Sequence, residues 1–251
     1  MKIHEQPLQW YVDRLKRGDH FSFAGYSDAE WLCILGLRAG DRTALGQVIC
    51  PTYGKKLFDV LRRRQGDPRW LTAVPKCLWE ADVFGDGIID RVLHHRGVRI
   101  EGWERDMVLD DAAAGAELFP LIDQLRRMDT VMIGNSDLEP VAGLLGCKFF
   151  VGVPSPNLHL EKGPEGIDWV VNDLLDEPRV PAVYLVSAGV SAAVIIDRLH
   201  DEIPNSSFID CGSIWDAFVG IGAQREWRRA LYADLNAWQR WTEENLHGKT
   251  T

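Results

Sequence analysis

The chain has 251 residues, 46% of them hydrophobic and 26% charged, which excludes a short peptide, a long repeat array or a mostly disordered polypeptide and suits one large α/β core, with or without a small appendage. Its 28 Lys and Arg against 37 Asp and Glu give a formal net charge of −9, a surface that repels phosphate backbones and anionic lipid, so neither nucleic-acid nor non-specific membrane binding is expected. A local basic pocket for a small phosphorylated ligand remains compatible with that balance.

The first half carries mixed signals. Residues 8–16 read as an amphipathic helix, 20–25 as extended, 28–37 as helical and 55–64 as a helix with a basic outer face. Further helices are expected at 87–95 and 115–127, with a short strand at 98–102. From Thr130 onward, apolar runs of strand length alternate with segments of helical period, the pattern of successive βα units on a parallel sheet. The expected strands are 130–134, 148–153, 182–187 and 207–210, and the expected helices between them are 138–145, 165–175 and 190–199. Pro164 suits a helical first turn and Pro181 a strand entry. A long helix over 224–246 places Trp227, Leu231, Leu235, Trp238 and Trp241 near one side, as a packing face or a homo-oligomer interface. The fold class expected is therefore α/β, Rossmann-like, with a mostly parallel sheet and flanking helices in a single domain over residues 1–251.

Cys33, Cys50, Cys77, Cys147 and Cys211 are scattered without a C-x-x-C pair and read as reduced, buried thiols. Residues 1–6 lack the apolar run of a signal peptide, and the longest uncharged stretch, 182–196, is too short to span a bilayer. A soluble, cytoplasmic protein with no membrane span is expected.

Among motifs that carry chemistry, absences come first. There is no G-x-x-x-x-G-K-[ST] phosphate loop, no strand-borne G-x-G-x-x-G, no G-x-S-x-G elbow and no H-E-x-x-H; Gly220-Ile221-Gly222 is a weak dinucleotide signal. His94-His95 falls at a helix end, where cationic side chains favour the dipole. What remains are polar residues just past strands, where an open parallel sheet binds its ligands. They are Tyr26 to Glu30, Gly134 to Asp137, Ser155 to His159, Ser187 to Ser191 and Asp210 to Ser213. Asp28 and Glu30 form a D-x-E pair able to hold a divalent cation. Ser27-Asp28-Ala29-Glu30 is equally a complete capping box, and the box recurs at Ser136 to Glu139. Ser187, Gly189 and Ser191 can let a phosphate or ribose approach a helix N-terminus, or can be only a tight, serine-capped turn. Asp210 and Ser213 can accept from a ribose or sugar hydroxyl, or cap the next element.

The run Phe21 to Trp31, containing Tyr26-Ser27-Asp28-Ala29-Glu30-Trp31, resembles the S-x-x-R-Y-G-D-G-E-W signature of the bacterial glycosyltransferases of GT-D fold type. Thr130 to Asn135 resembles that family's V-x-x-V-G-N strand and loop, Val186 to Val190 its S-A-G turn, and Ile209 to Gly220 its I-D-x-G-S-x-x-D-x-F-x-G ending. The segments keep their order and leave 41–110 uncovered. The resemblance implies a metal ion, Mn²⁺ or Mg²⁺, on Asp28 and Glu30, holding the diphosphate of a nucleotide-sugar donor, a UDP-sugar first among them. Gly25 stands where the family has arginine, and Ser27 and Ala29 where it has glycines, which removes a phosphate-contacting cation and stiffens the loop.

The expected activity is metal-dependent transfer of a sugar from a nucleoside diphosphate sugar to an acceptor hydroxyl of unknown identity. Asp210 is the first candidate for the base and Asp216 the second, with Tyr26, Asn135, Ser187, Gly189, Ser191 and Ser213 as substrate-binding candidates. The alternatives are another nucleotide-dependent α/β transferase, such as a methyltransferase using the Ser187 to Ser191 turn without metal, and a binding or assembly module working through the Trp-rich C-terminal helix.

Overall fold

The structure is a computed structural model that describes residues 3–36, 51–75, 85, 87–100, 102–115, 117–153, 165–178 and 180–219. The first half runs β1 (Ile3–His4), α1 (Leu8–Arg17), β2 (Ser22–Gly25), α2 (Asp28–Leu35), α3 (Pro51–Arg64), β3 (Trp70–Val74), α4 (Ile88–His95) and β4 (Trp103–Arg105). Next come α5 (Val108–Ala114), α6 (Phe119–Leu125), β5 (Thr130–Asn135), α7 (Glu139–Leu144), β6 (Phe149–Val153), α8 (Glu165–Asp176), β7 (Val183–Ser187), α9 (Ala192–Glu202) and β8 (Ser207–Asp210). Short 3₁₀ turns cover Ser136–Leu138, Gly189–Ser191 and Ile214–Val219.

The eight strands form one sheet in the order β1-β4-β3-β2-β8-β7-β5-β6, and every pairing is parallel. This is the α/β, Rossmann-like architecture expected from the alternating pattern. The strands of the first half and those of the second lie side by side, and their only shared ladder is the β2–β8 pairing, Ser22 to Phe208 and Phe23 to Ile209. Helices cover both faces. One apolar layer takes Trp31, Leu57, Leu93, Val170 and Ile195 from α2, α3, α4, α8 and α9; the other takes Val12, Leu109, Ile122 and Val141 from α1, α5, α6 and α7. A parallel strand covered on both faces needs no polar side, which is why Val183–Ser187 is buried along its whole length. No helix among the described residues is long and apolar enough to cross a membrane.

The four strands expected in the second half are present within one residue of their expected ends, and the helices expected at 138–145 and 165–175 are found at Glu139–Leu144 and Glu165–Asp176. The third helix starts later than expected, at Ala192, because Gly189–Ser191 forms a 3₁₀ turn first. The first half needs correction. The strand expected at 98–102 lies instead at Trp103–Arg105, and β1, β3 and α5 were not expected. A buried charge hides β4 in the sequence: Glu104 is enclosed and accepts from the Tyr11 hydroxyl at 3.1 Å, with His4 Nδ1 at 3.3 Å. The helix expected over 115–127 is shorter, Phe119–Leu125. His94 and His95 do close a helix, at the end of α4. Cys33 and Cys211 are buried free thiols and Cys147 is half-buried. The C-terminal helix expected at 224–246, the Gly220-Ile221-Gly222 run, Ser155 to His159, Pro164, Cys50 and Cys77 lie outside the described residues.

Two contacts hold α3 against its neighbouring helices α2 and α9. Gly54 of α3 packs directly on the backbone of α2: a Cβ there would penetrate the Cys33 carbonyl and lie 2.8 Å from Ile34 N. Glycine in a helix interior is intrinsically unfavourable by about 1 kcal/mol relative to alanine, so the close approach of two backbones is what justifies it here. At the amino-terminal ends of the strands, buried Arg64 joins α3 to α9, with Nε 2.6 Å from Asp197 Oδ1 and a bidentate pair of 2.8 Å bonds to the Asp201 carboxylate. His200 continues this network. Its Nε2 is 3.0 Å from Asp67 Oδ2 and its Nδ1 2.6 Å from Ser22 Oγ. Those are the partners of a hydrolytic triad, but Ser22 is wholly buried inside β2 and meets no substrate. Burial, with Arg64 and Arg69 nearby, holds the His200 imidazole below its ordinary pKa, so it is neutral at pH 7 and serves as a structural bridge.

Removing Arg64 leaves the Asp197 carboxylate buried with only the exposed Arg63 to meet it. Arg64→Leu should therefore lower the unfolding free energy by about 3 kcal/mol, whereas Arg62→Ala, which breaks an exposed pair with Asp59, should change it by less than about 1 kcal/mol; urea unfolding of the two variants checks both.

Candidate functional site

Because every strand points the same way, all carboxyl ends lie along one edge, and β2, β8, β7 and β5 are consecutive there. The loops holding Asp28 and Glu30, Asp210 and Ser213, Ser187 to Ser191, and Asn135 therefore sit side by side. The chain also leaves β5 toward β6 and leaves β7 toward β8, so the strand order reverses between β5 and β7, the kind of place where open α/β sheets bind ligands.

The best-defined group is Asp210, at the end of β8. Its Oδ2 accepts from Gly25 N at 3.1 Å, across the seam to β2, and its Oδ1 accepts from Gly212 N at 2.9 Å. Gly25 leaves room for this contact: a Cβ there would lie 3.3 Å from Asp210 Oδ2. Burial pushes the Asp210 carboxyl up to about 7; the Gly212 amide opposes that shift, Glu30 reinforces it, the Gly25 amide again opposes it, and Asp110 reinforces it. A carboxyl poised near neutral pH exchanges protons readily, the property needed of a general base.

Glu30 is the third residue of α2 and is buried. Its Oε2 accepts from Ser27 N at 2.8 Å and from the Ser27 hydroxyl at 2.6 Å, closing the capping box. Burial raises its carboxyl above the ordinary range against the opposing pull of the Ser27 donors, and Asp28 adds to the rise. The capping role foreseen for Ser27 and Glu30 is thus realised in the fold. Asp28 opens the same helix and is half-buried. Among the described residues no group of three or more His, Cys, Asp or Glu side chains is disposed to hold a metal ion.

The other candidates divide. Tyr26 is wholly buried and its hydroxyl donates to the Leu57 carbonyl at 3.2 Å, so it braces β2 and α2 against α3 and does not present a substrate-binding group. Ser187 and Ser191 are buried at the carboxyl end of β7, where the strand order reverses, and among the described residues neither hydroxyl oxygen has a hydrogen-bond partner. Such orphans are uncommon, since each forfeits about 1–3 kcal/mol of solvation. Gly189 has φ +54°, a left-handed conformation that favours glycine whatever lies above it. Asn135 Oδ1 accepts from Asp137 N at 3.3 Å, so Asn135 caps the turn that the Ser136 to Glu139 box was expected to cap. Ser213 and Asp216 sit beyond Asp210, the latter within the Ile214–Val219 turn, which packs on α5 and α7. Asp110, on α5, is a member of the acidic set that the sequence did not single out; it lies in the stretch where no motif was recognisable.

No protein-family model matches the chain, and no curated protein or solved structure matches it either.

The raised Asp210 carboxyl has a measurable sign. A pKa of about 7 in the fold against 3.8 for the free side chain means that folding favours the protonated form, so this contribution is fully present below about pH 4 and is lost as pH rises to about 7. The melting temperature of Asp210→Asn relative to the wild type should therefore shift in favour of the variant between pH 4 and 7.5. A difference that stays flat over that range would show that burial does not perturb this carboxyl.

Proposed function

We propose that the protein is a glycosyltransferase that moves a sugar from a nucleoside diphosphate sugar to an acceptor hydroxyl, with Asp210 as the general base. The observation that carries this reading is the Asp210 carboxyl: held by two main-chain amides at the carboxyl edge of the sheet, raised to about 7, and set beside the loop of Asp28 and Glu30. In the reaction the acceptor oxygen attacks the anomeric carbon and its proton passes to Asp210. The bond from that carbon to the diphosphate breaks, and the nucleoside diphosphate leaves with the electron pair. The Gly25 and Gly212 amides fix the carboxylate so that little reorganisation is needed when it takes the proton.

A divalent cation, Mn²⁺ or Mg²⁺, would be held by Asp28 and by the Glu30 oxygen not committed to the Ser27 cap, with the donor phosphates completing its shell. Hard carboxylate oxygens in so small a number match ions that keep most of their ligands from water and substrate phosphate. When bound, the ion would supply charge neutralisation at the leaving diphosphate. Ser187 and Ser191, whose hydroxyls the fold leaves unsatisfied, and Asn135 and Ser213 on the flanking loops are the groups nearest to hand for ribose, sugar or phosphate oxygens.

Donor-dependent release of nucleoside diphosphate, measured with a panel of nucleotide sugars with and without Mn²⁺, tests the activity. Asp210→Asn should lower turnover by about 10²- to 10⁴-fold while leaving donor affinity nearly intact, and Asp216→Asn should do much less. Asp28→Asn and Glu30→Gln should each abolish Mn²⁺-dependent donor binding, the latter with an added stability loss of about 1 kcal/mol from the weakened cap. Donor affinity that falls in step with turnover in Asp210→Asn would make it a binding group, and unchanged metal-dependent binding in both carboxylate variants would remove the metal from the reading.

A further inference from the structure

At the opposite edge of the sheet, under the amino-terminal ends of β5, β6 and β7, a cavity of about 200 Å³ opens between the strands and the last turns of α8. Phe149, Val151 and Tyr184 wall it, and Asp173, Asp176 and Glu177 stand at its rim. Tyr184 is fixed by stacking on Phe208, with ring centroids 5.0 Å apart, whereas Phe149 leaves 42% of its surface exposed. The cavity thus has a dry, rigid side and a wet, acidic side.

The charges at the rim run against the helix that carries them. The carboxyl end of a helix is its negative pole and favours cations, yet α8 has no basic residue in its last turn and ends in Asp173 and Asp176, with Glu177 following. Among the described residues, Lys148 pairs with Asp129 and Arg198 with Asp168. Among the described residues none of the three rim carboxylates is in an ion pair. Three carboxylates at the negative pole of a helix, beside an apolar hollow, give the cavity a charge that a bound cation complements.

We propose that this cavity binds a small aliphatic cation, an ammonium or guanidinium group on a short apolar stem. The stem lies against Phe149, Val151 and Tyr184, and the charged end reaches the three carboxylates and the negative end of α8. The volume suits a ligand the size of one long side chain and is below the range of about 300–1,000 Å³ usual for drug-sized ligands, so a nucleotide sugar does not fit it. A hydrated inorganic ion would gain nothing from the apolar wall. Because the cavity and the Asp210 loop lie at opposite ends of the strands, this assignment stands apart from the transferase reading.

Calorimetric titration of the full chain with n-butylguanidinium and with spermidine, at low and at physiological ionic strength, tests it. n-Butanol serves as the neutral isostere and Mg²⁺ as the hard-ion control. Saturable binding of at least one organic cation is expected, with no comparable binding of n-butanol or displacement by equimolar Mg²⁺. The triple variant Asp173→Asn, Asp176→Asn, Glu177→Gln changes only exposed side chains and should fold normally, yet lose affinity by tenfold or more. Phe149→Ala should also weaken binding, since it removes one wall. Absence of binding by either cation at 10 mM, equal binding of n-butanol, full displacement by Mg²⁺, or undiminished affinity in the triple variant would each overturn the proposal.

Discussion

The structure hangs on one ladder. β2 and β8 pair over only Ser22 to Phe208 and Phe23 to Ile209, and through that ladder the strands of the first half are joined to those of the second. The seam is closed by bonds outside the ladder. Phe208 N donates to the Phe21 carbonyl at 2.9 Å, and the Ser207 hydroxyl both receives Phe21 N and donates to the Asp19 carbonyl. Below it, His200 and Arg64 tie β2, α3 and α9 together; above it, Asp210 accepts from Gly25. Polar locks at both ends thus reinforce the short ladder that joins the two half-sheets.

That arrangement explains why the chemistry collects where it does. Asp210 is both an end of the seam and a carboxyl that burial pushes up to about 7, and the two facts have one cause. Bringing β8 against β2 buries the carboxylate, and the Gly25 and Gly212 amides compensate only part of the lost hydration. Glu30 repeats the pattern on α2, where capping the helix draws the side chain inward and raises its carboxyl. Acidic groups gathered in this way repel one another, and the repulsion is available to any cationic or proton-donating partner that enters.

Much of this was legible in the sequence, and the exceptions have physical causes. The second half was readable because its strands are runs such as Val183–Ser187, covered on both faces and uninterrupted by polar residues. β3 and β4 were not, since each mixes polar residues into a covered strand: Thr72 in β3, and in β4 a Glu104 made tolerable by Tyr11 and His4, residues some hundred positions away. The loops of Asp28, Asp210, Ser187 and Asn135 were correctly set on strand ends, because polar residues after an apolar run are a local signal. Tyr26 is illegible in the sequence for the converse reason. Its neighbours in sequence are loop residues, and only the arrival of α3, with Leu57 over the hydroxyl, makes it a core side chain. Asp110 approaches Asp210 through tertiary folding alone, so no spacing rule could have found it.

The contact of Gly54 with the backbone of Cys33 bears on how the protein can change over generations. Most crowded positions in a core are forgiving in the long run, since a larger side chain is absorbed when its neighbours shrink or rotate. Here the neighbour is a carbonyl, present whatever residue occupies position 33, and no exchange of side chains makes space. Relief must come from moving α2 and α3 apart, and α2 carries Asp28 and Glu30 at its amino end. Position 54 is therefore coupled to the far end of α2 without touching it: a lineage that loses this glycine must respace two helices, one of which carries the acidic loop at its opposite end.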